Sequence, residues 1–449
     1  MADQCFDPEI ETRPWPELLT WQRDRLPGQL SRLAETVPLF QERLAGLDIG
    51  QAGSPGAWSA VPFTTKDDLR AAQADAGPEQ PLGALQAVPM ADVVQVLASS
   101  GTTGTPVFFG LTEPDRQAWL HSIATMFFTA GVRPTSRVAL TTGMPLVAGG
   151  LPYADAVRHI GATLVWVGGQ TPARTATILD RLGVDTFIGT ASYATFAAAR
   201  FGEALGRPAA GTAMRTIIAG GEPGLGEATI RDQLAREWGA ARISEIMGLG
   251  DVMPGLWAEC PEGGGMHFTG GRHVFVELID PADGSSVPWE DDAHGEAVYT
   301  PFTRQATPVV RFRSRDHLRV QSRRCPCGRT SPRIRCVGRT DDMLIYKAMN
   351  VFPSAIREVV LDEYAAHVAG PMRIRKQSAT QVRFDDPLPL EVELARPPSD
   401  AGALRQRIEE SIRERLRVRV AVELLDRGSI PVGEYKNALT YVREETGRP

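Results

Sequence analysis

Residues 93–111 read VVQVLASSGTTGTPVFFGL, and this stretch decides the fold class that the sequence predicts. The apolar run Val93–Ala98 is typical of a short buried strand, and Val107–Leu111 predicts a second one. Between them lies Ser99-Ser100-Gly101-Thr102-Thr103-Gly104, whose small residues expose backbone N–H groups and hydroxyls that suit a phosphate. The turn lacks the Gly-Lys-Ser/Thr ending of a Walker loop. Taken alone, it predicts either a phosphate-binding turn or a Ser/Thr/Gly-rich surface loop.

Helices and strands alternate on both sides of this stretch. A proline-rich, helix-forming segment, roughly residues 12–90, precedes it. Short apolar strands, each before a helical stretch, follow it at Arg137–Thr142, Thr163–Val167, Thr186–Ile188 and Arg215–Ala219. This alternation predicts a parallel sheet covered by helices, in which ligands bind beyond the carboxyl ends of the strands.

The pattern changes after about residue 260. His273–Asp280 and Gly295–Thr300 predict antiparallel strands, and beyond Arg339 a smaller unit of strands and helices begins. We therefore predict an α/β protein with two domains. The large N-terminal domain, residues 1–340, has helix-covered, mostly parallel sheets plus an antiparallel, barrel-like portion, and the small C-terminal domain, residues 341–449, is α+β.

Composition excludes several classes of protein. The chain has 48 Lys+Arg and 54 Asp+Glu, a net charge of -6 and a pI near 5.8, which argues against general nucleic-acid binding. No apolar run reaches the length of a membrane span, and the acidic N-terminus lacks a signal region, so we expect no membrane partner and a cytoplasmic protein. The five cysteines are too few for a disulfide framework in a chain of this length.

Several motifs occur in one order along the chain. They are SSGTTGTP (99–106), AGGEPG (219–224), GLGDVMPG (248–255), TPVVRFRSRDHLRV (307–320), CPCGRTSPRI (325–334), GRTDDMLIYKAMNVFPSAIREVV (338–360) and GSIPVGEYKNAL (428–439). Together they resemble the motifs of phenylacetate–CoA ligases, a family of the adenylate-forming superfamily. The resemblance implies a two-step reaction. A carboxylate and Mg-ATP give an acyl-adenylate and pyrophosphate, and a thiol, normally that of coenzyme A, then displaces AMP.

The resemblance also assigns roles to residues. The loop from Ser99 to Gly104 matches the phosphate loop, Asp316 matches the aspartate that binds the ribose hydroxyls, and Arg339 matches an arginine that contacts the nucleotide. Asp341 matches the hinge of a mobile C-terminal domain, and Lys436 matches the lysine that reaches the reacting carboxylate and the α-phosphate. The further residues expected at ATP are Gly221, Glu222, Pro223, Met247 and Gly248.

The chain departs from the family pattern around the nucleotide. In Met247-Gly248-Leu249-Gly250-Asp251, Met247 stands where an aromatic residue is usual, and Gly250 removes a hydroxyl that would touch the α-phosphate. Asp251 keeps a carboxylate for Mg2+ that is one methylene shorter than the usual glutamate. Thr105 stands where a lysine is common. These changes predict weaker or altered ATP binding.

The acid and its acceptor are expected from the same resemblance. The loops beyond the parallel strands supply an apolar, roomy lining that suits an aromatic acid. The residues assigned to that acid are Met144, Tyr193, Ala219, Gly220 and Met253. Ala348 replaces a glycine that lets the pantetheine arm pass close to the backbone. Coenzyme A is the expected acceptor, and a carrier-protein pantetheine, an amine or a hydroxyl are alternatives.

Cys260, His267, Cys325 and Cys327 form a suitable set of tetrahedral ligands for zinc. The Cys-x-Cys spacing is tighter than the common Cys-x2-Cys, so by spacing alone separate buried thiols are the simpler interpretation. Some members of the family hold zinc at this place, and the resemblance therefore favours a structural Zn2+ site that ties the antiparallel region to the segment before the hinge.

The leading hypothesis for function is an AMP-forming aryl-acid–CoA ligase that uses ATP, Mg2+ and coenzyme A. A second hypothesis is a stand-alone adenylating enzyme of secondary metabolism that delivers the acyl group to a carrier protein, amine or hydroxyl. A third is a non-catalytic ligand-binding relative, which Gly250 and Thr105 suggest. A small aromatic acid is the expected partner, and a homodimer and a carrier protein are further candidates.

Overall fold

The computed structural model describes residues 4–99, 106–143, 145–222, 225–340, 343–347, 349–378, 381–430 and 439–442. The α-helices are α1 Pro8–Glu11, α2 Trp15–Arg23, α3 Leu26–Thr36, α4 Pro38–Arg43, α5 Pro55–Ser59, α6 Lys66–Ala72, α7 Glu113–Thr129, α8 Leu151–Ile160, α9 Pro172–Arg181, α10 Ala191–Leu205, α11 Ala228–Trp238, α12 Pro353–Tyr364 and α13 Ala401–Leu416. Within these ranges, none of the helices has the length and apolar character that a membrane span requires.

The β-strands divide among four sheets. They are β1 Gln95–Ala98, β2 Phe108–Leu111, β3 Arg137–Leu140, β4 Thr163–Trp166, β5 Thr186–Gly189, β6 Thr216–Gly220, β7 Arg242–Leu249, β8 Met253–Glu259, β9 Met266–Phe268, β10 Val274–Ile279, β11 His294–Pro301, β12 Phe312–Ser322, β13 Arg333–Arg339, β14 Leu344–Tyr346, β15 Met349–Val351, β16 Val368–Lys376, β17 Arg383–Phe384, β18 Leu388–Leu394, β19 Val420–Leu425 and β20 Thr440–Val442.

The largest sheet has eleven strands in the order β10-β11-β12-β13-β9-β8-β7-β6-β5-β3-β4. Its strands β4, β3, β5, β6 and β7 are parallel, and the helices α8 to α11 connect them in turn. Helices cover this part of the sheet. A strand such as β5 is therefore buried on both faces, and apolar residues predominate in such strands. The predicted α/β class with a parallel, helix-covered sheet is confirmed.

The hairpin β1–β2 stands apart from the parallel strands. Gln95 pairs with Leu111 and Ala98 with Phe108 in an antiparallel, two-stranded sheet of their own. The connection between these strands, residues 99–107, is too short for a parallel crossover, which takes about a dozen residues or more. The predicted phosphate loop therefore joins two hairpin strands and does not lead from a sheet strand into a helix.

The antiparallel half continues the same sheet. It begins with β8, which pairs antiparallel with β7, and the predicted pair of strands near 273 and 295 is β10 with β11. The N-terminal helices pack against this half, because Leu30, Phe40 and Trp58 share a buried cluster with Phe275 of β10. Burial of such large apolar side chains stabilises the packing by about 1.5–3 kcal/mol each.

The chain forms two compact units. The first comprises Met1–Gly221, Leu234–Ser314 and Arg319–Arg335, and the second comprises Glu222–Gln233, Arg315–Leu318 and Cys336–Pro449. The second unit has a four-stranded sheet in the order β19-β18-β16-β20 and a three-stranded sheet in the order β15-β14-β17. Its core includes Ile356 of α12, Val392 of β18 and Ile408 of α13.

Candidate functional site

The carboxyl ends of β5, β6 and β7 lie side by side at the edge where ligands are expected. Gly189 pairs with Ala219, and Gly220 pairs with Ile246, so neighbouring ends are about 4.8 Å apart. A Cβ on Gly220 would lie 2.1 Å from the carbonyl oxygen of Ile246. The strand end therefore requires glycine and presents bare backbone, to which a ligand can approach closely.

The β7–β8 turn continues this edge. Met247 is half-buried in β7, and a Cβ on the next residue, Gly248, would lie 2.0 Å from the carbonyl oxygen of Pro254. Gly221, which follows β6, has a φ of 81°, in the left-handed region that favours glycine. We call the set Gly189, Ala219, Gly220, Met247 and Asp251 the carboxyl edge.

Ser99 closes the hairpin beside the predicted phosphate loop. Its N–H donates to the carbonyl oxygen of Val107 at 2.9 Å, and its hydroxyl accepts from the N–H of Val107 at 3.2 Å. Both ends of the loop are thereby held together. The predicted loop residues outside the described part of the chain are Ser100, Gly101, Thr102, Thr103 and Gly104, together with Thr105.

Asp251, the predicted magnesium ligand, is paired with a cation. Its side chain is 13% exposed and forms an ion pair with Lys66, the first residue of α6. The ammonium of Lys66 also lies 5.3 Å from the ring centroid of Phe109 in β2. Sequence patterns do not reveal this contact, because 185 residues separate Lys66 from Asp251 and nothing local marks it.

Asp316 and Arg339, both predicted at the nucleotide, meet in the second unit. Oδ1 of Asp316 lies 3.6 Å from Nη1 of Arg339. The carboxylate is buried, whereas the arginine side chain is 41% exposed, which leaves the guanidinium accessible. The N–H of Thr340 donates to the carbonyl oxygen of Arg315 at 2.6 Å and fastens the two segments beside this pair. The structure thus brings these two predicted residues together.

The residues predicted at the acid are spread over three elements. Tyr193, near the start of α10, stacks on Phe187 with centroids 6.2 Å apart and planes at 22°. Burial raises the pKa of its hydroxyl. Met253 begins β8 and is buried, as is Ala219 at the end of β6. Met144 lies outside the described residues.

Of the remaining predicted residues, one is described and the others lie outside the described ranges. Glu222 is described and is half-buried in the second unit. The residues predicted at the hinge, at the reacting carboxylate, at the nucleotide and at the pantetheine arm include four that fall outside the described ranges. They are Asp341, Lys436, Pro223 and Ala348.

The four predicted zinc ligands converge in the first unit. Cys260 follows β8, His267 is in β9, and Cys325 and Cys327 lie in the connection between β12 and β13. Their ligand atoms all lie within 4.8 Å of one another. Sγ of Cys260 is 3.6 Å from Sγ of Cys325, and Sγ of Cys327 is 3.4 Å from Nε2 of His267. We call these four residues the cysteine cluster.

Hydrogen bonds orient and polarise the cysteine cluster. Nδ1 of His267 lies 3.0 Å from the carbonyl oxygen of Ser331, so Nε2 faces the thiols. A hydrogen bond with Cys260 lowers the pKa of Cys327, and the same bond raises the pKa of Cys260. Burial lowers the pKa of His267, but its contacts with Cys325 and Cys327 outweigh burial and the net shift is upward. Thiolate character therefore concentrates on Cys327.

Comparisons with known proteins identify relatives over the whole chain. Residues 348–440 match the family model described as the AMP-binding enzyme C-terminal domain. The phenylacetate-coenzyme A ligase of Thermus thermophilus is 30% identical over 445 residues, covering 96% of this chain and 97% of that protein. The phenylacetate-coenzyme A ligase of Escherichia coli is 33% identical over 359 residues, covering 79% of this chain and 78% of that protein.

Solved structures agree with these relatives. A crystal structure of 2-hydroxyisobutyryl-CoA ligase in the postadenylation state, in complex with R3-HIB-AMP, matches with a TM-score of 0.86 and 25% identity. The match covers 98% of this chain and 92% of that one. On its sequence similarity and fold, the chain belongs to the phenylacetate–CoA ligase family of adenylate-forming, acid–CoA ligases.

Proposed function

We propose that this enzyme activates an aromatic carboxylic acid with ATP and transfers the acyl group to coenzyme A. The observation that carries the proposal is the carboxyl edge, where bare glycine backbone and the carboxylate of Asp251 lie at adjoining strand ends. The relatives named as phenylacetate-coenzyme A ligases support the same activity.

In the first step, a carboxylate oxygen of the acid attacks the α-phosphorus of ATP. The bond from that phosphorus to the bridging oxygen breaks, and pyrophosphate leaves with the electron pair. Negative charge gathers on the phosphate oxygens, and cations must offset it. We assign Lys436 to this charge, Asp316 to the ribose hydroxyls, and Arg339, which is accessible beside Asp316, to the nucleotide.

Asp251 suits a magnesium ion bound with ATP, because Mg2+ takes hard oxygen ligands and one or two protein carboxylates. Bound there, magnesium would offset phosphate charge. In the second step, the thiol of coenzyme A attacks the acyl carbon, the bond to the AMP oxygen breaks, and AMP leaves.

We also propose that the cysteine cluster holds a structural zinc ion. Zinc takes thiolate and imidazole ligands in a tetrahedron. With Zn–S near 2.3 Å, two sulfurs of such a site lie about 3.8 Å apart, and a sulfur and a nitrogen about 3.6 Å apart. The observed separations, 3.6 Å and 3.4 Å, agree with that geometry. Ser331 supplies the outer hydrogen bond that orients a metal-bound histidine.

Pyrophosphate release tests the activity. The purified enzyme is mixed with Mg-ATP and one acid at a time: phenylacetate, benzoate, hydroxybenzoates and, as an aliphatic comparison, 2-hydroxyisobutyrate. We expect release with at least one aromatic acid, and a thioester detected by mass spectrometry once coenzyme A is added. Release without a thioester would favour delivery to another acceptor. Acid binding without release from any acid would overturn the proposal in favour of a ligand-binding protein.

A further inference from the structure

The ion pair of Lys66 with Asp251 competes with the metal that we propose for Asp251. The side chain of Asp251 is 13% exposed, and the ammonium of Lys66 beside it repels a divalent cation that approaches the same carboxylate, so metal binding favours movement of the ammonium. The destination of the Lys66 ammonium when magnesium binds is an inference that rests on the proposed function.

Lysine is rare in this chain. Of its 48 Lys+Arg residues only four are lysines, at positions 66, 347, 376 and 436. Fixed ion pairs in the first unit use arginine instead, as in Arg311 with Glu277 and Arg313 with Glu296. The planar guanidinium of arginine can bind a carboxylate through two hydrogen bonds, whereas the ammonium of lysine is a point charge on a flexible side chain. A lysine at position 66 suits a cation that changes partner.

The backbone at Lys66 is fixed, so any movement is confined to its side chain. Thr65 and Asp68 form a capping box at the start of α6, and Arg43 binds Asp68 from α4. After the helix ends, Gln73 exchanges two hydrogen bonds with the backbone of Phe108, at 2.8 and 2.9 Å. Helix α6 is thereby fastened to β2, the strand that leaves the predicted phosphate loop.

The side chain of Lys66 lies between the carboxyl edge and that hairpin. Its ammonium contacts Asp251 and lies 5.3 Å from the ring of Phe109, which is next to Phe108 in β2. A lysine stem allows its ammonium to move by several ångströms through rotamer changes. The ammonium can therefore reach either the carboxylate of Asp251 or the space beside strand β2.

A second cation remains behind when Lys66 moves. Arg304 is buried, and its Nη2 donates to the carbonyl oxygen of Gly110 at 3.1 Å and to the hydroxyl of Thr307 at 3.0 Å. Burial lowers the pKa of Arg304, and the charges of Asp115 and Asp251 oppose that effect. Arg304 thus lies in the field of Asp251 and remains a fixed positive charge near it.

We propose that Lys66 changes partner during adenylation, from Asp251 to the β- and γ-phosphates of ATP, when magnesium binds Asp251. Lys66 then supplies the phosphate charge that Thr105 does not, and it reaches the triphosphate from α6 instead of from the phosphate loop. When magnesium and pyrophosphate leave, the ammonium returns to Asp251 and neutralises it.

The test compares Lys66→Met with Lys376→Met, a matched change of a lysine in the second unit. Calorimetric titrations use Mg-ATP, AMP and Mg2+ alone, without acid. Lys66→Met should bind Mg-ATP about 10- to 100-fold more weakly, since it loses one charge-assisted contact. Its affinity for AMP, which has no β- or γ-phosphate, should stay within about twofold. Mg2+ alone should bind more tightly, because its competitor is gone, and Lys376→Met should match the wild type throughout.

Equal losses of Mg-ATP and AMP affinity, or an unchanged affinity for Mg2+ alone, would overturn the proposal. If Lys66→Met does not fold, Asp251→Asn gives an independent measurement. That variant releases Lys66, so ATP without metal should bind more tightly than to the wild type, and unchanged binding would count against the exchange. These titrations need no turnover, so failure of the acid panel would reject the proposed function without deciding the role of Lys66.

Discussion

The cysteine cluster and the carboxyl edge are two polar regions of one unit, built in opposite ways. The cluster is set by strand pairing. His267 lies opposite Ala258 and Arg333, and three of the four ligand residues are buried. The carboxyl edge presents the backbone of strand ends together with the side chain of Asp251 from a turn. Asp251 forms an ion pair with Lys66, and both side chains are partly exposed. A site that only holds a metal can be rigid, whereas a site that exchanges cations needs a side chain that can leave.

The largest effect is expected from a substitution in the cysteine cluster. Cys327→Ser should lose zinc and lower the free energy of unfolding by roughly 4 kcal/mol, because a buried cation site loses a ligand and its partners remain buried. Thermal unfolding should shift down by about 4–6 °C. The measurement is zinc content by mass spectrometry together with calorimetry.

Cys336→Ser is the matched control, since Cys336 lies outside the cluster. It should keep both zinc and stability. A wild-type protein purified without zinc, or a Cys327→Ser variant as stable as Cys336→Ser, would contradict the structural role. Slow removal of the metal by a chelator should reproduce the effect of Cys327→Ser on the melting temperature.

A substitution of the lysine assigned to the reaction should lower the reaction rate and leave the free energy of unfolding nearly unchanged. Lys436→Ala should reduce pyrophosphate release by about 10²–10³-fold, the usual loss when one group that stabilises transition-state charge is removed. The free energy of unfolding should stay within about 0.5 kcal/mol of the wild type, because the assigned role of Lys436 is in the reaction and not in the fold. Steady-state kinetics and urea unfolding of the same preparation measure both quantities. Wild-type rates would reject the assignment of Lys436.

The sequence predicted the parts of the molecule that local pattern determines. The alternation of apolar strands with helices predicted the parallel sheet, and the order of the motifs predicted the family. The separate β1–β2 hairpin was also accessible in principle, because residues 99–107 are too few for a parallel crossover. The pair of Asp316 with Arg339 needed the resemblance, since neither residue is distinctive by itself.

Contacts between distant segments could not be predicted. Lys66 meets Asp251 across 185 residues, and the scarcity of lysine was the only hint in the sequence. The convergence of Cys260 with Cys325 depends on how β8, β9 and β13 pair. Spacing alone does not encode that register, so the interpretation as separate buried thiols was reasonable without the fold.

A pair of partly buried histidines sharpens the comparison with His267. His273 packs against His121, with ring centroids 5.4 Å apart. Burial, then the charges of His121 and Arg272, lowers the pKa of His273 to about 3, whereas Asp7 acts in the opposite direction. The pKa of His267, beside thiols, moves upward.

His273 predicts acid-sensitive stability. In the unfolded chain it takes up a proton below about pH 6.5, but in the folded chain it stays neutral down to about pH 3. Protons therefore favour the unfolded state between these values, and stability falls as the pH falls. His273→Gln should reduce the loss of stability between pH 7 and pH 5 by about 1–2 kcal/mol, measured by urea unfolding. Parallel pH profiles for both proteins would contradict this.

The smallest effect is expected from two glycines of the β7–β8 turn. Among the described residues, a Cβ on Gly250 would meet Ala148 alone, at 3.6 Å, and the φ of Gly250 lies outside the left-handed region, so a side chain is tolerated. The resemblance puts the α-phosphate beside this position, so we expect the hydroxyl added by Gly250→Ser to tighten Mg-ATP binding by about two- to tenfold. At Gly248, where a Cβ would lie 2.0 Å from a carbonyl oxygen, the same change should weaken binding. If titration shows tighter Mg-ATP binding for Gly250→Ser and weaker binding for Gly248→Ser, then the backbone requires glycine at 248. At 250, glycine instead lacks a hydroxyl that serine supplies.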